Sequence, residues 1–552
     1  MPISAGALSD YLNMPGVSKV TLSPKSGDPA VTSNTVNITG TVTIPDGVSV
    51  DVEQGVYLNV SGTLNIGAGS TVTNDGVMTN QGTINIGAAG TLINNGTLAT
   101  SGNITTDTGA DVVNNGKMVQ TSSATVGSAS GTAAITSDCG TCGDSTYYYM
   151  DADPDDSTKL RIHVLGIGQT REYTGESDSH AQAWYANDNR KKLKSIVFED
   201  GVTRVGESMF YGDYHYPTNN YNGYKNLTTV ILPDSITEIG NYAFYSTSIT
   251  DINIPDSVEV IGKSAFTCCY DLESITIPDT NIYIMEDAFT QAGLTSIYIP
   301  ATPTFGGGVF DECRSLATIT FADGRTSVGN LTFDGCWELT SVTLPDTLET
   351  LPNYMFFNCT KLTSIELPSS LKKIGTSNSG YSNGSVFYQT KIAELVLPEG
   401  LEEINKSGLY GMSYLESITI PSSVDYIGEE AFEQDSALTS VRIEDTNGTL
   451  TAIRKNTFNY CYNLETVYYG GTDENWDAIT IDPTGNGYFL DAKHYFYNYE
   501  NLITASYAAT GGTVKCYIGD DEIGASQAVM GGEEITVVAT PASGYETGEI
   551  TV

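Results

Sequence analysis

Positive charge is scarce in this sequence of 552 residues, which has 25 lysines and arginines against 66 aspartates and glutamates and a formal net charge of −41. Binding to a phosphate backbone requires a stripe of basic side chains. The composition therefore argues against nucleic acid as a partner, and also against an anionic membrane surface. It fits a chain that is kept soluble in an extracellular setting, and calcium binding is the alternative that so acidic a chain leaves open.

Long apolar runs are missing as well. No stretch approaches the roughly 18 apolar residues of a membrane-spanning helix. The opening letters, MPISAGALSDYLNMPG, lack the charged start and apolar core of a signal peptide. We therefore expect no membrane span in this chain, and we expect any export and anchoring signals to lie outside the sequence.

Motifs that carry catalysis are also missing. The sequence has four histidines and contains neither His-Glu-x-x-His nor Gly-x-Ser-x-Gly nor a Walker loop. The segment 151–156, DADPDD, begins like a calcium loop, but it lacks a glycine at the sixth position and has Ile162 where a glutamate should be twelfth. The segment therefore predicts a solvated turn. We expect no catalytic residues, no cofactor and no metal site, and predict that the chain is not an enzyme.

The nine cysteines give little sign of chemistry. Cys139 and Cys142 form a C-x-x-C, but no second pair accompanies them for zinc and no βαβ pattern surrounds them for redox work. We predict neither role. Five others follow a phenylalanine by three residues, which predicts small buried positions of a repeat: Cys269, Cys313, Cys336, Cys359 and Cys461.

What the sequence has in abundance is a repeat. A leucine or isoleucine column recurs mostly every 22 or 23 residues, with three longer steps of 34, 30 and 26, at Leu193, Leu227, Ile249, Leu272, Leu294, Leu316, Leu339, Leu362, Ile392, Leu415, Leu438 and Leu464. A fixed step of this length is typical of a solenoid. Each copy contains L-x-x-I-x-I, so the first, fourth and sixth residues should point inward and the third and fifth outward.

A second column confirms the register of the first. It comprises Phe210, Phe244, Phe266, Phe289, Phe310, Phe333, Phe356, Phe387, Phe432 and Phe458, with Leu409 in one slot. One coil cannot bury its own apolar face, whereas stacked coils give a continuous core. We therefore predict a phenylalanine spine through the array.

These repeats resemble the unit of the BspA-like leucine-rich repeat surface proteins, L-x-x-I-x-I-P-x-x-V-x-x-I-G-x-x-A-F-x-x-C. The segment LESITIPSSVDYIGEEAF, 415–432, follows it almost letter for letter. The resemblance implies a bacterial or protist surface protein with adhesive or host-contact roles. It also implies that no active site is shared across the family.

A shorter repeat precedes this array. Asn74, Asn94 and Asn114 are 20 residues apart, and each stands two residues before a glycine. Short alternating strands broken by such turns predict a β-solenoid in which stacked asparagines form a side-chain ladder. A low-complexity stalk is the alternative.

The predicted fold is mostly β, a leucine-rich repeat solenoid of about twelve coils between a short β-solenoid and a small all-β module. The predicted domains are a lead-in 1–30, the β-solenoid 31–120, a linker 121–137, an N-terminal cap 138–192, the repeats with their C-terminal cap 193–500 and a β module 501–552. Both caps resemble those of BspA-like arrays, with Trp184 and Trp476 as their tryptophans. The last module resembles internalin B-type repeats.

Two surfaces are candidates for ligand binding. The first is the outward row of the repeat strands, Asn253, Thr276, Tyr298, Thr320, Thr343, Glu366, Thr419 and Arg442. The second is the insertion behind the 34-residue step, which carries Tyr211, Tyr214, Tyr216, Tyr221 and Tyr224. Solenoids bind through extended faces, and exposed tyrosines suit sugars and proteins. The alternatives are that Ser and Thr merely suit solvated strands, and that the insertion packs on the cap.

The function expected from these patterns is recognition without catalysis. The protein would attach to a host or microbial surface protein or glycan through the array, at the cell surface or in secreted form. A targeting scaffold for a catalytic domain outside this chain, or a structural spacer, remains the alternative. The oligomeric state stays open.

Overall fold

The computed structural model describes residues 5–24, 34–132, 135–136, 139–173, 184, 189–212, 214–215, 220–221, 224–329, 332–376, 384–496, 503–504, 512–518, 521–523, 528–529 and 535–541. The chain divides into two compact units, Met1–Arg314 and Ser315–Val552. In the part of the chain just given, no helix is long and apolar enough to cross a bilayer.

The first unit begins with a β-solenoid of three parallel sheets, which confirms the fold predicted from the 20-residue repeat. Strands such as Thr63–Ile66 and Thr83–Ile86 alternate part-exposed and buried residues, because successive side chains of a strand point to opposite faces. The solenoid strands are β1 (Lys19–Leu22), β2 (Thr35–Ile38), β3 (Thr41–Ile44), β4 (Ser49–Val52), β5 (Tyr57–Val60), β6 (Thr63–Ile66), β7 (Thr71–Asn74), β8 (Val77–Asn80), β9 (Thr83–Ile86), β10 (Thr91–Asn94), β11 (Thr97–Thr100), β12 (Asn103–Thr106), β13 (Asp111–Asn114), β14 (Lys117–Gln120), β15 (Ala129–Ser130) and β16 (Ile135–Thr136).

The predicted asparagine ladder is confirmed. Nδ2 of Asn74 donates to Oδ1 of Asn94 at 2.8 Å, and Nδ2 of Asn94 donates to Oδ1 of Asn114 at 2.8 Å. All three side chains are buried. The glycine two residues after each asparagine allows the coils to approach, since a Cβ on Gly96 would lie 2.1 Å from the carbonyl oxygen of Gly76.

The lead-in contains regular structure that the sequence did not predict. Helix α1 (Ala5–Leu12) buries Leu8 and Leu12 in the same apolar cluster as the first solenoid strands. Terminal coils of a solenoid expose an apolar end that must be covered. The segment predicted as a linker, 121–137, likewise contributes β15 and β16, which pair with β13 and β14.

Between the solenoid and the repeats lie β17 (Cys139–Thr141), β18 (Thr146–Ala152), β19 (Leu160–Gly166), β20 (Gly168–Gln169) and α2 (Asn189–Lys192). The strands β17, β18 and β19 belong to one sheet together with repeat strands, and β20 belongs to another. Trp184 is buried here and contacts Tyr148 edge-on, with ring centroids 4.9 Å apart. Glu199 accepts from Lys117 of the solenoid at 2.6 Å and lies 2.8 Å from His163 Nδ1. Burial alone would raise the pKa of Glu199, but the hydrogen bonds and charge interactions with Lys117 and His163 outweigh it and lower the pKa to about 2.

The repeats of the first unit pair their strands in parallel, coil on coil, apart from two short strands in the tyrosine-rich insertion, which pair antiparallel with each other. The strands are β21 (Leu193–Phe198), β22 (Val202–Val205), β23 (Tyr214–His215), β24 (Asn220–Tyr221), β25 (Thr229–Ile231), β26 (Glu238–Ile239), β27 (Asp251–Ile252), β28 (Val260–Ile261), β29 (Tyr283–Ile284), β30 (Ser296–Ile299) and β31 (Thr304–Phe305). The phenylalanine spine is confirmed here. Phe266 lies between Phe244, at 5.4 Å, and Phe289, at 5.1 Å, with nearly parallel rings.

The second unit also contains short parallel repeat strands, which belong to separate sheets. Its repeat elements are β32 (Thr318–Phe321), β33 (Ser341–Thr343), β34 (Thr350–Leu351), β35 (Lys373–Ile374), β36 (Glu403–Ile404), β37 (Ser417–Ile420), β38 (Tyr426–Ile427), β39 (Ser440–Ile443), β40 (Ala452–Ile453), β41 (Thr466–Tyr469), α3 (Asp473–Ala478), β42 (Thr480–Ile481), α4 (Gly487–Asp491) and β43 (Lys493–Phe496). Phe458 stacks between Phe432, at 5.2 Å, and Phe489, at 4.6 Å. Phe489 on α4 therefore extends the spine past its predicted end.

An antiparallel module closes the described chain. Its strands are β44 (Ile503–Thr504), β45 (Gly512–Ile518), β46 (Asp521–Ile523), β47 (Ala528–Val529) and β48 (Ile535–Pro541), with β45 paired to both β46 and β48.

Most repeat coils turn at left-handed backbone positions two residues before and two residues after the phenylalanine. Residues other than glycine occupy most of them, for example Ser264 and Cys268 around Phe266. A non-glycine residue resists this conformation. Here the backbone is held by the next coil, since the Cys268 N–H donates to the carbonyl of Thr290 at 2.9 Å. Cys268, which fits no column in the sequence, fills such a turn.

The cysteine column is buried as predicted, and it also satisfies backbone carbonyls. The Sγ atoms of Cys269 and Cys313 donate to the carbonyls of Phe244 and Phe289, each at 3.2 Å. Burial raises the pKa of the Cys269 thiol to about 12 and also raises the pKa of Cys313. These thiols are therefore protonated donors and not nucleophiles.

Asp435 occupies this column in one coil. It is fully buried, its Oδ1 accepts from the Met412 N–H at 2.7 Å, and its Oδ2 has no hydrogen-bond partner. Burial raises its pKa well above the ordinary value, although hydrogen bonds from the backbone oppose the shift. The folded chain therefore holds the proton of Asp435 more tightly than the unfolded chain does.

We predict that Asp435→Asn stabilises the protein at neutral pH. Because the folded-state pKa is raised, the contribution of Asp435 is fully present below the unfolded pKa of about 3.9 and is lost as the pH rises through the folded value. Asn keeps the acceptor for Met412 without a charge. Thermal melts of both proteins across pH should show an advantage for the variant that grows from about pH 4 upward. An advantage that is the same at every pH would contradict the assignment.

Candidate binding surfaces

In the first unit, the outward strand row is exposed but not uniform. Tyr298 on β30 is 56% exposed and Thr276 is also exposed. Asn253 lies at the surface, but its side chain accepts from the N–H of Leu232 at 3.0 Å and donates to the carbonyl of Leu232 at 2.8 Å. Asn253 therefore holds the backbone of the preceding coil, whereas Tyr298 and Thr276 remain candidates for ligand contact.

In the second unit, Thr320, Thr343 and Glu366 are exposed. Thr343 and Glu366 line one shallow cleft of about 280 Å³ together with Asp346. With two carboxylates and little apolar surface, the cleft suits a polar or cationic group better than an apolar one.

Another candidate of this unit, Arg442, stands in a continuous row across four neighbouring strands. Thr419 on β37 pairs with Arg442 on β39, Arg442 pairs with Tyr468 on β41, and Tyr468 pairs with Tyr495 on β43. Parallel strands in register place such residues side by side on one face of the sheet. We call Thr419, Arg442, Tyr468 and Tyr495 the arginine–tyrosine row.

The side chains of this row contact one another. The guanidinium of Arg442 lies 5.8 Å from the ring centroid of Tyr468, and the rings of Tyr468 and Tyr495 stack at 5.3 Å. Nζ of Lys493 lies 4.5 Å from the Tyr495 ring, and Nε of Arg442 is 3.2 Å from Glu444. The cations hold the rings in place by cation–π attraction. The row thus offers flat aromatic surface beside positive charge in a very acidic chain.

The tyrosine insertion is only partly a surface. Tyr224 is 1% exposed and packs edge-on against Phe210 at 5.9 Å, so its ring belongs to the core. Tyr211 is half-buried and stacks on Tyr245 at 4.8 Å. The backbones of Tyr214 and Tyr221 pair in a two-stranded antiparallel sheet, β23 with β24. Tyr216 lies outside the described residues.

The acidic turn at 151–156 is exposed at Asp155, as predicted, but not at Asp153. Asp153 is buried and accepts from Ser195 Oγ at 2.6 Å and Lys194 Nζ at 3.1 Å, so it is a structural anchor and not a solvated residue. Burial alone would raise its pKa, but these donors outweigh it and keep the pKa below the usual range. Within the described ranges, no group of three or more His, Cys, Asp or Glu side chains could hold a metal ion.

The C-x-x-C pair lies beside the solenoid. Cys142 is buried, and burial raises its pKa to about 12, whereas a redox cysteine needs a lowered pKa. Cys139 on β17 donates to the carbonyl of Gln120 at 2.9 Å. The burial of Cys142 and the hydrogen bond of Cys139 are both typical of structural cysteines.

Tyr468 and Tyr495 are the functional candidates that the sequence reading missed. The repeat pattern holds the signal for Tyr468: after Leu464 the inward positions are Val467 and Tyr469, which leaves Tyr468 outward. Tyr495 lies in the C-terminal cap beyond the last residue of the leucine column, Leu464, so the repeat pattern does not predict its strand.

Comparison with known proteins identifies the repeats. A family model described as the BspA type leucine rich repeat region matches residues 183–307, 301–383 and 380–475. No curated protein matches the chain. Solved structures similar to it include a leucine rich cell surface protein from Faecalibacterium prausnitzii, at 22% identity, 61% coverage of this chain and 97% of that one, and TM-score 0.34.

Two further structures are similar over comparable lengths. A leucine-rich repeat protein from Bacteroides ovatus is 20% identical, with coverage of 64% of this chain and 98% of that one and TM-score 0.33. The pneumococcal vaccine antigen PcpA is 18% identical, with coverage of 65% and 94% and TM-score 0.36.

Proposed function

This chain belongs to the BspA-type leucine-rich repeat family, and on that premise we propose that it is a recognition protein without catalytic activity, which attaches to a surface protein of a host cell or of another microbe through its arginine–tyrosine row. We further propose that it acts at the cell surface or in secreted form. A targeting scaffold and a structural spacer are the alternatives that the tests below separate from adhesion.

The observation that supports this proposal is the in-register run of Arg442, Tyr468 and Tyr495. Tyrosine and arginine are the residues over-represented at the energetic centres of protein interfaces. Their rings are already stacked, so little side-chain freedom remains to be lost on binding. A partner surface with carboxylates would complement the positive charges of Arg442 and Lys493. Positive side chains are scarce in this chain, which has 25 lysines and arginines against 66 acidic residues.

The proposal predicts the behaviour of a double variant, Arg442→Ala with Tyr468→Ala. Attachment to panels of host-matrix proteins and microbial surface proteins is measured first, and the affinity of each positive partner is then determined by calorimetry. Loss of these two residues should weaken binding by about thirtyfold or more, because a single residue of an interface centre is worth about 2 kcal/mol or more.

Tyr414→Ala is the matched control, since Tyr414 is exposed in the same unit but lies outside the row. It should bind as the unchanged protein does. A spacer would bind no member of either panel. Equal affinity of the double variant and the control would contradict the row as the binding site and would direct attention to Tyr298 and the tyrosine insertion.

A further inference from the structure

The second unit has a cleft on the turns that follow the phenylalanine positions, away from the strand residues used above. It has a volume of about 490 Å³ and is lined by Tyr388, Gln389, Gln434, Tyr460 and Tyr462, among others. Volumes of this order are typical of small-ligand sites. We propose that this cleft binds a neutral oligosaccharide.

The lining of the cleft is aromatic and amide-rich, and none of its eight residues carries a charge. In a chain with 66 acidic residues, an uncharged patch of this size disfavours a cationic ligand and lacks the cations that an anionic one needs. Amides and hydroxyls can both donate and accept hydrogen bonds, which matches the hydroxyl groups of a sugar.

Tyr462 supplies the surface for stacking. It is 58% exposed and is held by its neighbours, with Tyr488 perpendicular to it at 5.4 Å and Tyr460 tilted at 5.8 Å. Neither neighbour lies parallel to the ring and covers it as a stacked partner would. An exposed aromatic face that carries a hydroxyl at its edge suits the apolar face and polar rim of a pyranose ring.

Tyr388 forms the opposite wall and is rigid. Its ring stacks on Phe357 at 4.6 Å and on Tyr410 at 5.7 Å. Its edge leans into the space above Gly411, because a Cβ on Gly411 would lie 2.3 Å from Cδ2 of Tyr388. The cleft therefore depends on the missing side chain of Gly411.

The floor of the cleft is fixed by hydrogen bonds between coils. Gln389, Gly411 and Gln434 occupy the same left-handed turn position in successive coils. The Gly411 N–H donates to the carbonyl of Glu433 at 2.8 Å, and the Gln434 N–H donates to the carbonyl of Asn459 at 2.8 Å. The exposed amides of Gln389 and Gln434 thus flank a notch whose backbone is set before any ligand arrives.

The test is calorimetric titration of the full chain with neutral oligosaccharides of glucose, mannose, xylose and N-acetylglucosamine, in α- and β-linked forms, at low and high salt. We expect at least one to bind, with an affinity that salt leaves unchanged because no charge pairs form. An oligogalacturonate, which is anionic, should bind no better than background.

The variants localise the site. Tyr462→Ala should weaken binding by about tenfold or more at an unchanged melting temperature, because a surface residue is removed. Gly411→Asn should weaken it similarly by filling the notch, and Asn358 shows that asparagine fits this turn position. Tyr414→Ala, again the control, should bind normally. If Gly411→Asn fails to fold, Tyr462→Ala alone decides.

The inference is overturned if no neutral oligosaccharide binds at millimolar concentration, or if Tyr462→Ala binds as tightly as the unchanged chain. The Arg442→Ala and Tyr468→Ala double variant separates this inference from the proposed function, since it should keep its sugar affinity while losing the protein partner. Loss of sugar binding in that variant would place the sugar site on the strand row and contradict the cleft.

Discussion

Phe266→Ala is expected to lower the free energy of unfolding by about 3–5 kcal/mol, the usual cost of replacing a buried phenylalanine by alanine. Phe266 is fully buried and stacks on a phenylalanine of each neighbouring coil. The stack cannot close the gap by a local shift, because the backbone of each turn is bonded to the next coil. In a solenoid each coil contacts only its neighbours, so the loss also weakens the coupling across that point.

Thr276→Ala is the matched control. Thr276 is exposed on an outward position of the same unit, and its replacement should change the free energy of unfolding by no more than about 0.5 kcal/mol. Chemical denaturation of both variants measures the difference. Similar small losses for the two would show that the phenylalanine column is not the core.

Asn94→Ala is expected to cost about 2–4 kcal/mol, because it removes the central member of the buried ladder and leaves polar groups on both sides without partners. Asn94 accepts from Asn74 and donates to both Asn114 and the carbonyl of Lys117. Water cannot replace these bonds, since all three asparagines are buried.

The adjacent residue provides a control within the same coil. Asn95 forms an outer ladder with Asp75, at 2.9 Å, and with Asn115, at 3.1 Å, but these side chains are exposed. Water can satisfy the groups that Asn95→Ala releases, so we expect a loss of no more than about 0.5 kcal/mol. The two single variants are compared by denaturation monitored by circular dichroism. Equal losses would show that burial does not set the strength of the ladder.

Much of the fold could be predicted from the sequence, because residues that stack on one another in a solenoid recur at a fixed spacing in the sequence. Successive coils place Phe244, Phe266 and Phe289 above one another, so their spacing of 22 and 23 residues equals the length of one coil. The same holds for Asn74, Asn94 and Asn114. The mostly-β solenoid and its membership of the BspA-type family are confirmed.

What the sequence did not reveal depends on contacts that no period encodes. The helix α1 occurs once, at the start of the solenoid, so no repeated sequence pattern predicts it. Tyr224 reads as one more exposed tyrosine of an insertion, yet its contact with Phe210 makes it core. The cleft at Tyr388 and Tyr462 arises where Gly411 interrupts a column of larger residues, and only the packing shows which ring leans into the gap.

The predicted domain boundaries and the ligand-binding role of the candidate residues stay predictions. Of those candidates, Asn253 has a structural task of its own in bonding to Leu232, whereas Tyr298, Thr276, Thr320, Thr343 and Glu366 are exposed. Arg442 is the candidate with the strongest structural support, because two tyrosines extend its row.

The central claim is that the arginine–tyrosine row is the contact surface for a protein partner. Hydroxyl-radical footprinting, which oxidises exposed tyrosine side chains, tests it in one measurement on the chain alone and in complex with a partner found in the panels. We predict that Tyr468 and Tyr495 become protected in the complex, while Tyr414 and Tyr462 are oxidised as before. Unchanged oxidation of Tyr468 and Tyr495, with protection of other tyrosines instead, would contradict the claim.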